Sequence, residues 1–271
     1  MLRILSVLAA LALPLVVFAG ELNVDPALEQ ARALRTAGDI NASVDVLKKE
    51  LTGVVETKGM ATDAGATAQR ALDEAANLSD VARKQGRLYY GLQEVKTAMV
   101  FTPILEAPLP QGFPPPGEVG QIVVKEYPAY RAARTSMTTT SDNNSAFGKL
   151  FRHISANDVK MTAPVEMTYE RQTGTPISMA FLYEQPTLGT SRMDGEIEVV
   201  DLPAVTVVSV GVRGSYSDAN RDEALQKLRA WIESHKAEYE IAGEPRVMGY
   251  NSPFVLPMLR FSEVQIPVKK T

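Results

Sequence analysis

Six prolines between positions 103 and 116 divide this chain into two parts that no continuous helix or strand can join. Proline lacks a backbone N–H and its ring fixes φ, so it interrupts helices and is excluded from the interior of sheets. A segment this rich in proline is expected to be stiff and extended. We therefore predict a proline-rich linker over residues 103–118, between a region at 20–102 and a second region at 119–271.

The region 20–102 has the composition of helices. It is rich in Ala, Leu, Glu, Lys and Gln, and its apolar residues recur at helical spacing around the turn signal Gly38-Asp39. This pattern resembles one helical pair of a tetratricopeptide array, but the sequence shows no convincing second copy, so we predict a plain helical hairpin. A further helical stretch is expected over residues 64–99, with Ser79 or Asp80 as an internal cap.

The region 119–271 has the pattern of strands interrupted by two helices. The first predicted strands are 122–128, 130–135, 161–169 and 177–183, and the second set is 196–203, 206–213, 246–251 and 263–268. A helix is expected after Asn143-Asn144-Ser145 in the first set and over 221–239 in the second. The repetition predicts an internal duplication of a β-β-α-β-β unit. The fold class is therefore α+β, with antiparallel sheets or a distorted barrel and two helices, preceded by the helical region.

The overall composition excludes several kinds of site. A formal net charge of −4 opposes a nucleic-acid partner, which would need a basic surface. The chain has no Cys and two His, which excludes disulfides and thiolate chemistry and disfavours a metal site built from several His. Neither a G-x-S-x-G elbow nor a Gly-rich phosphate loop occurs.

The amino end has the pattern of a secretory signal peptide. Arg3 supplies the positive charge, an apolar run follows over residues 4–18, and Val17-Phe18-Ala19 offers small residues for cleavage before Gly20. The run is short for a bilayer span of about 20 residues. We therefore expect a signal peptide at 1–19 and an exported protein, periplasmic or secreted, with no stable membrane span after cleavage. An uncleaved anchor is the alternative.

Four ordered segments resemble the SOUL haem-binding protein family, which includes the vertebrate haem-binding proteins and is similar to the effector-binding-domain superfamily. They are Lys125–Pro128, Phe147–Ile154, Lys160–Val165 and Gly249–Pro253, and together they cover the chain from about Gly120 to Val268. The last two are strands that run into a turn fixed by proline. The resemblance implies non-covalent binding of haem or a related porphyrin in an apolar groove beside the first helix of the unit.

Carried over position by position, the resemblance places the tetrapyrrole site on this helix and on the loop 254–259. The basic residues Lys149 and Arg152 would meet the propionates, because a cation pairs with each carboxylate. The expected cofactor-binding residues are Phe147, Lys149, Leu150, Phe151, Arg152, His153, Ile154, Phe254 and Met258.

The iron ligand is the point at which the chain departs from the family pattern. Some members are credited with an axial His immediately before the Tyr of the first strand, and here that residue is Glu126, a poor ligand for haem iron. The remaining candidates are His153, Tyr127, Met161 and Met258. On the helical wheel His153 lies at the flank of the apolar stripe, so a partly exposed side chain is expected.

The resemblance implies tetrapyrrole carriage, buffering or scavenging outside the cytoplasm. One alternative is a hydrolase or an effector-binding protein for a bulky apolar small molecule in the same groove, with Glu126 and Tyr127, or Glu166 and Tyr169, as an acid/base pair. Another alternative is a scaffold whose N-terminal helices bind a protein partner. Whether the chain is an enzyme stays open, and a non-enzymatic binder is favoured over a catalyst.

Overall fold

The structure is a computed structural model that describes residues 23–60 and 62–271, so the predicted signal peptide at 1–19 lies outside the described residues. The amino-terminal part consists of four helices. Their bounds are Asp25–Thr36 (α1), Ile40–Lys58 (α2), Asp63–Ala76 (α3) and Val81–Met99 (α4). In the described part of the chain, no helix combines the length and the apolar character that crossing a bilayer requires.

Side-chain caps begin three of these four helices. The Asp39 side chain accepts from Ala42 N at the start of α2, and Thr62 caps α3 in the same way. Asp80 accepts from Arg83 N at 2.7 Å, which confirms one of the two predicted internal caps. The helices form two hairpins, α1–α2 and α3–α4, around one apolar core, where the sequence predicted one hairpin and an unspecified helical stretch.

The carboxyl-terminal part is one antiparallel sheet with two helices. Its strands are Ile122–Tyr127 (β1), Tyr130–Ser136 (β2), Val165–Tyr169 (β3), Pro176–Leu182 (β4), Arg192–Asp194 (β5), Ile197–Leu202 (β6), Val205–Arg213 (β7), Tyr239–Ile241 (β8), Arg246–Gly249 (β9) and Phe261–Lys270 (β10). The long helices are Asn143–Ala156 (α5) and Asp218–Ser234 (α6), and short 3-10 turns occur at Thr140–Asp142 and Pro257–Leu259. These elements confirm the α+β class.

The strand order is β1-β7-β10-β9-β3-β4-β2-β6-β5, with β8 beside β10. The antiparallel sheet is confirmed, and the alternative of a distorted barrel is wrong because β1 and β5 end the sheet without pairing with each other. A strand of three residues such as β5 is too short to close a barrel. When β5 and β8 are left out, the order is β1-β7-β10-β9-β3-β4-β2-β6. Strands that correspond in the two predicted halves then occupy mirror-image positions. The corresponding strands are β1 and β6, β7 and β2, β10 and β4, and β9 and β3. A common origin of the halves stays a prediction.

Several predicted boundaries differ from the structure. Helix α6 ends at Ser234 rather than at position 239, because His235 is its C-cap and the chain turns into β8. Strand β3 begins at Val165 rather than at 161. The start of α5 is stabilised upstream of the predicted Asn-Asn-Ser cap, since Asp142 accepts hydrogen bonds from two preceding backbone N–H groups.

The two faces of the sheet are covered by different parts of the chain. Successive side chains of a strand point to opposite faces, so Val264 and Ile266 of β10 pack against α6, whereas Phe261, Glu263 and Gln265 point away from it. We call the face that carries α5 and α6 the outer face, and the opposite face the inner face. The inner face is covered by residues 101–118, which we call the strap.

The two proline turns hold the strap in place. The backbone N–H of Ala163, at a cis Ala163–Pro164 bond, donates to the Pro108 carbonyl at 3.0 Å. In the other half, Asn251 Nδ2 donates to the Ile104 carbonyl at 2.7 Å, and Ser252 N donates to the Glu106 carboxylate at 2.5 Å. The proline-rich segment is therefore hydrogen-bonded to both proline turns of the sheet.

Two glycines of α4 provide a test of the helical packing. A Cβ atom at Gly91 would lie 2.2 Å from the Cβ of Ala71 on α3, whereas a Cβ at Gly86 would have no atom within 4 Å. Urea unfolding should show that Gly91→Ala lowers the free energy of unfolding by about 1–3 kcal/mol. Gly86→Ala, the matched control, should raise it by up to about 1 kcal/mol because alanine favours the helix. Equal effects of both changes would contradict the close approach of α3 and α4.

Candidate functional site

The predicted tetrapyrrole surface lies on α5, which packs its apolar stripe against the outer face. Leu150 and Ile154 are buried in that interface, so a ligand would reach neither of them without a movement of the helix. The half-buried Phe147 meets Phe181 edge-on, with ring centroids 4.9 Å apart. It also stacks on Phe151, which is 51% exposed. The pair Phe147–Phe151 is therefore the apolar surface that α5 offers to a ligand.

Two cations lie on other sides of the same helix. Lys149 Nζ is 2.9 Å from a carboxylate oxygen of Glu196, and Arg152 is exposed. A surface ion pair of this kind contributes only about 0–1 kcal/mol, so another carboxylate can replace Glu196 at little cost. The arrangement can accept an apolar molecule that carries one or two carboxylates.

His153 is buried, so the expectation of a partly exposed side chain is wrong. Its Nδ1 lies 2.8 Å from an Asp194 oxygen and its Nε2 lies 3.1 Å from the Tyr183 hydroxyl. The reason is strand β5, which the sequence did not reveal and which covers this flank of α5. Because both ring nitrogens are engaged, His153 could bind iron only by losing one of these bonds.

Three evenly spaced side-chain contacts join α5 and its C-cap to β5 and the turn that follows β5. Residues four apart on the helix meet residues two apart on the strand side, because both spacings advance by about 6 Å. The pairs are Lys149 with Glu196, His153 with Asp194, and Asn157 with Arg192. This row of polar contacts sets the position of the helix that carries Phe147 and Phe151.

The remaining predicted residues are spread over the molecule. Phe254 and Met258, on the loop between β9 and β10, are 96% and 59% exposed. Met161 packs partly against the cluster beneath α5. Glu126 is exposed, whereas Tyr127 is buried on the inner face. No cluster of three or more His, Asp or Glu able to hold a metal ion occurs within residues 23–60 and 62–271.

The inner face carries a buried polar cluster with a Lys–Glu ion pair at one end. Lys125 on β1 pairs with Glu263 on β10, and both side chains are almost completely buried. Glu263 also accepts from the Tyr250 hydroxyl at 2.9 Å and from the backbone N–H of Gly117 in the strap at 2.7 Å. Lys125 Nζ donates to the Pro115 carbonyl at 2.7 Å. The strap therefore completes the hydrogen bonding of this pair.

A second ion pair continues the cluster across the middle of the sheet. Arg246 Nη1 lies 2.9 Å from a Glu166 oxygen and donates to the Tyr130 hydroxyl, also at 2.9 Å. Gln265 links the two pairs, since its oxygen accepts from Arg246 Nε and its amide donates to the Tyr127 hydroxyl. The buried Arg246 Nη2 has no hydrogen-bond partner in the described part of the chain.

The phenols of this cluster act as neutral donors. Burial raises the pKa of Tyr127, Tyr130 and Tyr250 well above the ordinary value of a phenol, and the neighbouring glutamates raise it further. At neutral pH these residues stay protonated, so Tyr127 is poorly suited to bind iron as a phenolate. With each glutamate paired to a cation, the cluster as a whole carries no net charge.

The acid/base pairs that were considered from the sequence are not formed. Glu126 and Tyr127 point to opposite faces of β1, because they are neighbours in a strand. Glu166 contacts Tyr130 and Arg246 instead of Tyr169, whose ring lies 4.4 Å from the guanidinium carbon of Arg221.

Sequence reasoning missed the members of the inner-face cluster. They are Lys125, Tyr130, Arg246, Tyr250, Glu263 and Gln265, together with the strap residue Phe113. The sequence did contain a signal. Within each strand, side chains alternate between the two faces, and four charged residues fall on the face that points away from the helices: Lys125, Glu166, Arg246 and Glu263. Charged residues on that face are usually solvent-exposed in an antiparallel sheet, whereas here all four are buried and the strap bonds to Lys125 and Glu263.

A family model matches residues 118–267, which is more than half of the chain and comprises the sheet with α5 and α6. The chain belongs to the SOUL heme-binding protein family. The match confirms the resemblance found in the sequence between Gly120 and Val268. We call the matched part the SOUL unit; helices α1–α4 and most of the strap precede it. Comparison with curated proteins finds no match.

Several solved structures are similar to part of this chain. EcmrR in its DNA complex is 18% identical, with 56% of this chain and 58% of that chain covered and a TM-score of 0.48. A hydrolase from Listeria innocua is 11% identical, covering 55% and 92%, with a TM-score of 0.42. SAV2435 bound to tetraphenylphosphonium is 9% identical, covering 55% and 94%, with a TM-score of 0.38. The chain thus spans little more than half of the EcmrR chain.

The buried Lys125–Glu263 pair provides a stability test. Lys125→Met should lower the free energy of unfolding by about 3–5 kcal/mol, because it leaves the Glu263 carboxylate buried without its cation. The double change Lys125→Met, Glu263→Leu should recover part of this loss. Lys227→Met, which removes a Lys–Glu pair on the surface of α6, should change stability by no more than about 1 kcal/mol. Urea unfolding measures all three, and a Lys125→Met effect as small as that of the control would contradict the buried pair.

Proposed function

We propose that the SOUL unit binds haem or a related porphyrin without a covalent bond, on the outer surface of α5, and that the protein carries, buffers or scavenges this ligand. The observation that carries the proposal is the stacked pair Phe147–Phe151, with Lys149 and Arg152 on the same helix, inside the region matched to a haem-binding family. An exposed aromatic pair suits a flat macrocycle, and cations on the same helix suit its two propionates.

Apolar burial would supply most of the binding free energy, at about 25 cal/mol for each Å² removed from water. Lys149 and Arg152 would orient the ligand through charge-assisted hydrogen bonds to the propionates. An axial protein ligand is not part of the proposal, because His153 is engaged with Asp194 and Tyr183. Phe254 and Met258, on the exposed loop between β9 and β10, are not part of the proposed surface.

Buried carboxylates weigh against the alternative of a hydrolase. Glu166 and Glu263 each pair with a cation on the inner face, and the strap covers both. A general base must lie within hydrogen-bond reach of its substrate. Catalysis by these groups would therefore require the strap to leave the sheet.

Hemin titration of the mature protein tests the proposal. We expect a saturable shift of the Soret band at micromolar protein, because the porphyrin leaves water for the Phe147–Phe151 surface. The double variant Lys149→Ala, Arg152→Ala should weaken binding by about tenfold, as the loss of two exposed charge pairs predicts. His153→Ala should leave the position of the bound Soret band unchanged.

The matched control for the charge deletion is Lys227→Ala, Arg229→Ala, which removes one Lys and one Arg from the exposed side of α6. This control should bind hemin as the unchanged protein does. Absence of a saturable Soret shift in the unchanged protein, or equal weakening by both double variants, would defeat the proposed site. A shifted band in His153→Ala would instead show that His153 reaches the iron.

Export is the second part of the proposal and rests on the signal-peptide pattern at residues 1–19. Expression of the full sequence in a secreting bacterial host should yield a protein outside the cytoplasm whose mass corresponds to a chain that begins at Gly20. Replacement of the apolar run by polar residues should keep the protein inside the cell with residues 1–19 attached. Intact-mass measurement of both fractions decides between cleavage and an uncleaved anchor.

A further inference from the structure

The inner face holds the strap through the main chain of the strap, as a protein groove holds a bound peptide. Three strap carbonyls accept hydrogen bonds from the SOUL unit, and two strap N–H groups donate to it. The carbonyls are those of Ile104, Pro108 and Pro115, bonded to Asn251, Ala163 and Lys125, and the donors are Gln111 and Gly117, bonded to Glu184 and Glu263. Main-chain bonds of this kind would hold any extended chain of the same shape.

Side-chain selectivity comes from Phe113. Its ring stands edge-on to Tyr127 and to Tyr130, with centroid distances of 4.9 and 5.2 Å. A turn presents it there, because the N–H of Phe113 donates to the Pro110 carbonyl and Gly112 has a φ of 77°. A positive φ at the third position of such a turn favours glycine. The strap thus presents Phe113 to the inner face from a Pro-x-Gly-Phe turn.

We propose that the inner face is a receptor groove for a proline-rich peptide that carries a Pro-x-Gly-Phe turn, and that the strap occupies this groove in cis. Grooves lined with aromatic side chains are a recurrent way to bind proline-rich chains, because such chains lose little entropy on binding. Here the lining comes from Tyr127, Tyr130 and Tyr250, and the polar contacts come from Lys125 and Glu263.

One buried group of the cluster has no hydrogen-bond partner within the described chain while the strap occupies the inner face. Arg246 Nη2 has no acceptor in the described residues, although its guanidinium lies at the centre of the cluster, 4.9 Å from the ring centroid of Tyr127. An unsatisfied buried donor is unfavourable.

The strap regulates the groove by competition. A segment tethered to its own site competes at an effective concentration of about millimolar or higher. A partner peptide therefore binds only weakly to the resting protein and binds strongly once the strap is loosened. The contact between Asp63 of α3 and Arg213 of β7, at 2.6 Å, joins the helical unit to the strand that lies beside the strap.

The test uses the full mature chain and a fluorescent synthetic peptide that corresponds to residues 103–118. The host Phe113→Ala removes the aromatic anchor of the cis strap. Tyr90→Ala, on an exposed position of α4, is the matched host control, since it also removes one aromatic ring. The control peptide carries Phe113→Ala. Fluorescence polarisation measures binding, and circular dichroism verifies that each host is folded.

The Phe113→Ala host should bind the unchanged peptide at least about 100-fold more tightly than the unchanged chain or Tyr90→Ala does, as loss of a tethered competitor predicts. The control peptide should bind this host at least about tenfold more weakly, as loss of a buried aromatic anchor predicts. A folded Phe113→Ala host that fails to bind the peptide, or that binds both peptides equally, overturns the proposal.

A second variant tests the proposal if Phe113→Ala does not fold. Phe113→Trp combined with Trp231→Phe places the chain's one indole on the strap, against the inner face. Excess unchanged peptide should shift its emission to the red as the strap is displaced, and no shift at any peptide concentration overturns the proposal. A dimer of the unchanged chain that dissociates on Phe113→Ala would mean that a second copy supplies the strap, which overturns the cis assignment.

Discussion

The structure depends on the burial of four charges on the inner face of the sheet. Lys125 with Glu263, and Arg246 with Glu166, lie where an antiparallel sheet of this kind would otherwise meet water. A buried ion is costly unless it is paired and hydrogen-bonded. The strap meets this requirement, because the Pro115 carbonyl and the Gly117 N–H complete the Lys125–Glu263 pair.

This constraint divides the SOUL unit into two surfaces with different roles. The outer face is covered by α5 and α6, and α5 leaves two stacked phenylalanines and two cations accessible beside a row of polar contacts to β5. The inner face is filled by the chain itself. Both proline turns of the family pattern donate hydrogen bonds to the strap. Their sequence alone did not suggest this contact.

Much of the fold was accessible from the sequence. Alternation, helical spacing and the Asp80 cap predicted most strands, both long helices of the SOUL unit and the helical amino-terminal region. The candidate site was accessible only in part. The sequence indicated that Phe147, Phe151, Lys149 and Arg152 share one helix, but β5 was too short to be recognised, so the burial of His153 was missed.

The sequence by itself determined the local structure and the family, because proline positions, side-chain periodicity and ordered motifs act through neighbouring residues. Only the tertiary structure decided the course of the proline-rich segment and the burial of the inner-face charges in ion pairs. Phe113 reaches Tyr127 and Tyr130, and Gly117 reaches Glu263 across 146 positions of chain. Contacts over such distances leave no periodic trace in the sequence, since each partner follows the pattern of its own segment.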